Sequence, residues 1–287
     1  MLSKLYNQDP PPQLNHYTNA EALLGIMKGR ALWATHIRYL NDSHEFLHTI
    51  EIAKDFISEL QMTDNSPLLE TLWSYLDESM PGNTFVISFS EETDLLSQWR
   101  GYCPSGGYSL GFNSNKLKQL AEQQRFVLVK CTYNRGEQEI FVRSLMDEAV
   151  TAFPSYHLSQ SLGDDATEDY RIRVFVSRWF FPRMQRLASA MKDPAFIEEK
   201  EWRLVGALHT PLPPFNIRTR GALLVPYEVF ELAPNCHQPL EGVIESILIG
   251  PNADQELAAF GVDRLQQLGL VRGMMVERSK VPYRINQ

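Results

Sequence analysis

The chain is poor in cysteine: among 287 residues there are three, Cys103, Cys131 and Cys236, far apart and never arranged as C-x-x-C. Neither a disulfide framework nor a cysteine-rich zinc site is therefore expected. No apolar run approaches the roughly 18 residues that span a bilayer. Pro10-Pro11-Pro12 falls where a secretory core segment would lie, so a cytoplasmic protein with no membrane partner is expected. Positive charge is the minority sign, 27 Lys and Arg against 35 Asp and Glu, which argues against general attraction to nucleic acid. Repeats and low-complexity segments are absent as well. What remains is an ordinary globular composition, 44% apolar, long enough to bury a full core.

Periodicity organises the chain. Residues 14–18 read as a short strand, and Asn19 as the N-cap of a helix carrying Leu23, Ile26 and Met27, with Gly29 at its stop. Residues 31–35 read as a second strand. Tyr39-Leu40-Asn41-Asp42 is the turn into a long helix with Phe46, Ile50, Ala53, Ile57 and Leu60 on one face, and residues 68–76 form another amphipathic segment. Residues 84–90, 108–112, 126–133, 202–208, 222–226 and 243–249 are strand-like, with a short helix at 94–102. About 137–195 the period turns helical. The expected architecture is one α+β domain over 1–287, with a mixed, mainly antiparallel sheet and a helical insertion at about 137–195.

Several clusters carry candidate chemistry. His44-Glu45-Phe46-Leu47-His48 fits H-E-x-x-H, which places two imidazoles a helical turn apart for zinc, with the glutamate as base. Asp42 and Glu45 also make a capping box, and His48, Asp55 and Glu59 share a polar face, so a solvated helix start is the competing reading. His16-Tyr17-Thr18 ends a strand just before a helix start, a good place to hold a ribose or phosphate. Ser88 and Ser90 share one strand face while Phe89 points away, and Trp99, Arg100 and Tyr102 follow on the next helix. Glu201 and Arg203 alternate with Trp202 and Leu204, so a carboxylate and a guanidinium share a strand face, as a functional group or as a surface pair. Residues 171–192 contain Arg171, Arg173, Arg178, Arg183, Arg186 and Lys192 with no acidic residue, interleaved with Phe175, Trp179, Phe180 and Phe181. That mix suits phosphates and stacked bases, or equally a helix core with arginines snorkelling along it.

In this order, with Leu32-Trp33-Ala34-Thr35 and Leu40-Asn41-Asp42 between them, the motifs resemble a widespread bacterial domain family of uncharacterised function. More distantly they resemble the ADP-ribosyltransferase fold of the poly(ADP-ribose) polymerase-like and DarT-like type. That resemblance implies an NAD-dependent ADP-ribosyltransferase, a toxin or antiviral effector acting on nucleic acid or protein, with NAD as substrate and no metal. It implies His16, Tyr102 and Glu201 as catalytic residues, with Glu201 stabilising an oxocarbenium-like transition state. NAD contacts are then expected from Tyr17, Thr18, Trp33, Asn41, Ser88, Phe89, Ser90, Trp99, Arg100 and Arg203, and contacts to a nucleic-acid acceptor from Arg171, Arg173, Arg178, Arg183 and Arg186. The alternatives are a zinc hydrolase at His44-Glu45-x-x-His48 and a non-catalytic nucleic-acid-binding module.

Overall fold

Strand β1 (Gln13–Thr18) is followed by helix α1 (Ala20–Gly29) in a computed structural model that describes residues 5–40, 43–62, 66–78, 84–159, 167–206, 215–233, 240, 242–252 and 254–282. Asn19 is the N-cap: its side chain accepts a hydrogen bond from the Ala22 amide at 2.8 Å, and Leu23, Ile26 and Met27 form the buried stripe. The helix ends at the expected Gly29, and its cap is Arg30, in the left-handed region at φ 53° with its amide on the Ile26 carbonyl. Strand β2 (Ala31–His36), helices α2 (Ser43–Gln61) and α3 (Pro67–Glu78), and strand β3 (Phe85–Ser90) come next. Helix α4 (Leu96–Tyr102), strand β4 (Tyr108–Asn113), helix α5 (Ser114–Gln123) and strand β5 (Phe126–Lys130) lead into the helical lobe.

The lobe comprises α6 (Arg135–Ser159), α7 (Glu168–Phe175), a π-helical turn (Val176–Phe180) and α8 (Phe181–Ser189). A 3₁₀ turn (Pro194–Glu199) returns the chain to β6 (Glu201–Gly206). A hairpin of β7 (Asn216–Arg220) and β8 (Leu223–Glu231), then β9 (Ile244–Ile249), α9 (Gln255–Gln267) and β10 (Met275–Arg278), complete the described elements. The fold is α+β, with one ten-stranded, mostly antiparallel sheet in the order β10-β9-β4-β1-β3-β2-β8-β7; β6 lies on β3 and β5 on β6. Among the described strands β10 alone breaks the pattern, running parallel to β9. α1, α5 and α9 cover one face around Leu14, Phe89, Phe112 and Trp202, and the lobe with α2 and α3 covers part of the other around Val86, Val129 and Val205.

The sheet forks at β3. One edge of β3 pairs with β6 from Val86 to Ser90, so β1 and β2 must divide the other edge between them. The register Asn15 to Ser90, carried forward, would set Tyr17 opposite Ser88; the register Thr35 to Val86, carried back, would set Trp33 opposite the same Ser88. Two strands cannot occupy one slot. β1 instead stays with β4 along its whole length and β2 with β8, and a wedge opens with Ser88 at its apex.

Candidate functional site

His16 fills the apex of the wedge. Its Nδ1 lies 2.9 Å from the Ser88 carbonyl, which only accepts, so the proton belongs on Nδ1 and Nε2 keeps its lone pair. The side chain thereby provides the donor that an adjoining strand would otherwise bring. Burial pushes the imidazole below its ordinary range; the Ser88 bond works against this and the Arg218 charge adds to it. The ring packs tilted on Phe89 at 5.7 Å.

Around this apex lies a shallow cleft, open to solvent and enclosing about 40 Å³, lined by Asn15, His16, Tyr17, Ser88, Phe89, Gln98, Tyr102, Glu199 and Glu201. That space holds a few waters, so a larger ligand would lie across the open mouth rather than inside the cleft. Gln98 and Tyr102, one helical turn apart on α4, present an amide and a phenol to the same wall. Tyr102 is 42% exposed, which leaves ring surface for a stacking ligand.

The floor is a buried charge cluster. Register pairs Ser90 with Glu201 and Ser88 with Arg203, putting all four side chains on one sheet face. Arg203 donates through Nε to Glu201 Oε1 at 2.8 Å and through Nη1 to the Ser189 carbonyl at 2.9 Å. Lys192, fully buried, donates to both Glu201 and Glu199. Burial alone would raise the Glu201 carboxyl, but Arg203 and Lys192 outweigh it and pull the group down to about 2, so it is ionised at neutral pH. Tyr133 fixes the start of β6 by accepting from the Glu201 amide at 2.7 Å.

Other expected residues have structural partners. The Tyr17 hydroxyl donates to the Glu92 carbonyl and accepts from the Leu95 amide, tying β1 to the loop before α4, and burial raises its pKa strongly. The Ser90 hydroxyl donates to the Glu199 carbonyl at 2.6 Å and accepts from the Glu92 amide. Trp99 is buried against Tyr17 and donates through Nε1 to Asp94, while the Thr18 carbonyl accepts from the Cys103 thiol. Arg100 is exposed on α4. Trp33 is 46% exposed on the far side of the wedge, tilted by 32° against the Tyr227 ring. Asn41 lies outside the described residues.

In the basic segment, Phe175 and Phe180 are fully buried and Trp179 stacks on Phe175, so its aromatics build the lobe core. Arg173 pairs with Asp169, Arg183 lies over the Trp179 ring, and Arg178 is exposed. Arg171 and Arg186 are half-buried, and Lys192 belongs to the cleft floor. The side chains of His44 and Glu45 lie outside the described residues; His48 is partly exposed beside Glu51, and Glu59 pairs with Arg143. Among the described residues no group of three or more His, Cys, Asp or Glu is placed to hold a metal. No described helix is long and apolar enough to cross a membrane.

Sequence reasoning missed Asn15, Gln98, Glu199 and the role of Lys192. One signal was available: Gln98 and Tyr102 stand i and i+4 on α4, which puts the amide beside the phenol. The chain has a counterpart among known families. Residues 98–204 match the family described as Protein of unknown function (DUF2971). The DUF2971 match agrees with the expected kinship to an uncharacterised domain family, and it includes Tyr102, Glu201 and Arg203 but not His16. No curated protein and no solved structure matches the chain.

Proposed function

We propose that the cleft at the fork is the nicotinamide end of an NAD site and that the protein is an NAD-dependent ADP-ribosyltransferase. The observation that carries this reading is the convergence of His16, Ser88, Tyr102 and Glu201, distant in sequence, on one cleft. Each group has a use there. The lone pair of His16 Nε2 accepts from a ribose hydroxyl, and the exposed ring of Tyr102 stacks on a flat heteroaromatic amide, with Gln98 beside it for the carboxamide. Breaking the nicotinamide–ribose bond builds positive charge on the sugar, as in glycoside hydrolysis. Glu201 is held ionised for that purpose, and Glu199, sharing Lys192, is the second carboxylate on the cleft wall.

A transferase also needs an acceptor, and the exposed Arg173, Arg178 and Arg183 give a nucleic-acid acceptor a surface on the lobe. The test is incubation with NAD labelled in its adenylate part and whole-cell extract, followed by separation of protein from nucleic acid. Label transferred by the wild-type protein and lost in Glu201→Ala supports the proposal. Full NAD consumption by a folded Glu201→Ala protein would falsify the assignment of Glu201.

A further inference from the structure

The cations on the cleft side of the fork, Arg203 and Lys192, are engaged by Glu201 and Glu199. On the other flank stands a cation with no carboxylate partner among the described residues. Arg218 of β7 shares a sheet face with Tyr227 of β8 and with Trp33 and Thr35 of β2, because Asn216 pairs with Tyr227 and Tyr227 with Thr35. Its guanidinium crosses β8, lying 5.4 Å from the Trp33 ring centroid and 5.8 Å from that of Tyr227, and donates through Nη2 to Thr35 Oγ1 at 2.7 Å. Its Nε is buried with no partner among the described residues. The neighbouring Arg220 adds charge of the same sign and donates to the Tyr39 carbonyl.

A half-buried arginine, held flat by two aromatic rings and without a counter-ion among the described residues, is an incomplete arrangement. Its position says what would complete it. Thr35 pairs with Val86, two residues before Ser88, which sets the anchor of Arg218 roughly 7 Å along β3 from the apex of the wedge. Arg218 is also close enough to disfavour the charged form of His16. The cleft encloses little of a nucleotide-sized ligand, so most of such a ligand lies outside it, and this flank offers it a cation where the cleft wall offers carboxylates.

We infer that Arg218, with Trp33 and Thr35, forms the phosphate half of the site and takes the diphosphate of a nucleotide. The inference rests on reading the cleft as one end of a dinucleotide site, but it is tested on its own. With Nε buried and one Nη2 hydrogen on Thr35, the guanidinium would meet a diphosphate oxygen pair through Nη1 and the second Nη2 hydrogen, while Trp33 keeps it oriented.

Calorimetric titration of the full chain with ADP-ribose, inorganic diphosphate and adenosine decides it. ADP-ribose should bind, diphosphate should compete with it, and adenosine should bind at least about ten-fold more weakly. Arg218→Gln should weaken ADP-ribose by about ten- to a hundred-fold, while Arg264→Gln, another arginine over an aromatic ring, should leave it unchanged. Absent ADP-ribose binding, unchanged affinity in Arg218→Gln, or adenosine binding as tightly as ADP-ribose overturns the inference. If Arg218→Gln does not fold, the comparison of the three ligands on the wild-type protein settles the question. ADP-ribose bound through Arg218 by a protein that leaves NAD intact upholds the phosphate site and ends the transferase reading; NAD turnover with an unaltered KM in Arg218→Gln does the reverse.

Discussion

Lys192 and Glu201 form an ion pair beneath the cleft with both side chains almost wholly withdrawn from solvent, at 0% and 4% side-chain exposure. The lysine arrives from the end of the helical lobe and the glutamate from the start of β6, so the pair joins the lobe to the sheet. Removing one partner strands a buried charge. Lys192→Met is therefore expected to destabilise the fold by about 3–5 kcal/mol. Chemical denaturation checks this, and a variant as stable as wild type would show that the cluster has little energetic role.

The same cluster sets an acid limit. Glu201 has a folded pKa of about 2, below its ordinary carboxylate value, so its contribution is present above the unfolded pKa and lost as pH falls toward the folded one. A shift of this size corresponds to about 3 kcal/mol, lost between about pH 4.5 and pH 2. Denaturation midpoints measured across that window should fall more steeply for wild type than for Glu201→Gln. Parallel curves contradict the coupling.

His16 loses stability in the same direction of pH, although it is held neutral rather than charged. Its lowered pKa means that the native protein holds the neutral ring, so stability from this group is full above the unfolded pKa of about 6.5 and declines as pH falls below it. NMR titration of the imidazole should give a midpoint below 6.5, with the proton on Nδ1 in the neutral form. A midpoint above 6.5 excludes the role given to Nε2.

Tyr17 and Tyr102 separate packing from ligand contact. Tyr17→Phe removes both hydrogen bonds of a buried hydroxyl, leaving the Leu95 amide and the Glu92 carbonyl without it, and should cost about 1–3 kcal/mol of stability. Tyr102→Ala, at an exposed position, should change stability by less than about 0.5 kcal/mol while lowering NAD consumption. Thermal melts beside activity assays distinguish the two; a large loss of stability in Tyr102→Ala reverses the assignment.

Gly250 supports α4 from below. A Cβ there would meet the Trp99 ring at 2.6 Å, so Gly250→Ala must displace the indole that seats the helix carrying Gln98 and Tyr102. Overpacking of this kind costs about 1–3 kcal/mol, and NAD affinity should fall with it. An alanine variant with unchanged melting temperature and unchanged NAD binding contradicts this coupling.

Much of this fold was legible because its strands are short runs of β-forming residues, buried on both faces and bounded by turn residues. Residues 14–18, 31–35, 84–90 and 108–112 lie within a residue of β1 to β4, and the shared faces of Ser88 with Ser90 and of Glu201 with Arg203 follow from the two-residue period. β7 was illegible because Asn216, Arg218 and Arg220 alternate with Ile217 and Thr219 on an exposed edge, which gives no core signal. β10, α5 and α9 were passed over for the same reason, their apolar faces being narrow. The short helix expected from residue 94 starts instead at Leu96, since the Asp94 carboxylate is occupied by the Trp99 indole, Ser279 and the Lys280 amide, partners that no local spacing shows. Lys192 read as part of a basic segment with two open readings, phosphate contacts or a helix core, because its pairing with Glu201 depends on the lobe folding back onto β6. The fork itself is a competition between two registers for Ser88, visible only when both are known.

NAD binding to the cleft is measured most directly by calorimetric titration of wild-type protein and of Tyr102→Ala. A single saturable site in the wild type, weakened at least about ten-fold in a Tyr102→Ala protein of undiminished stability, is the expected result. An absence of NAD binding by the wild type, or equal affinity in the two proteins, contradicts the assignment of the fork as the NAD site.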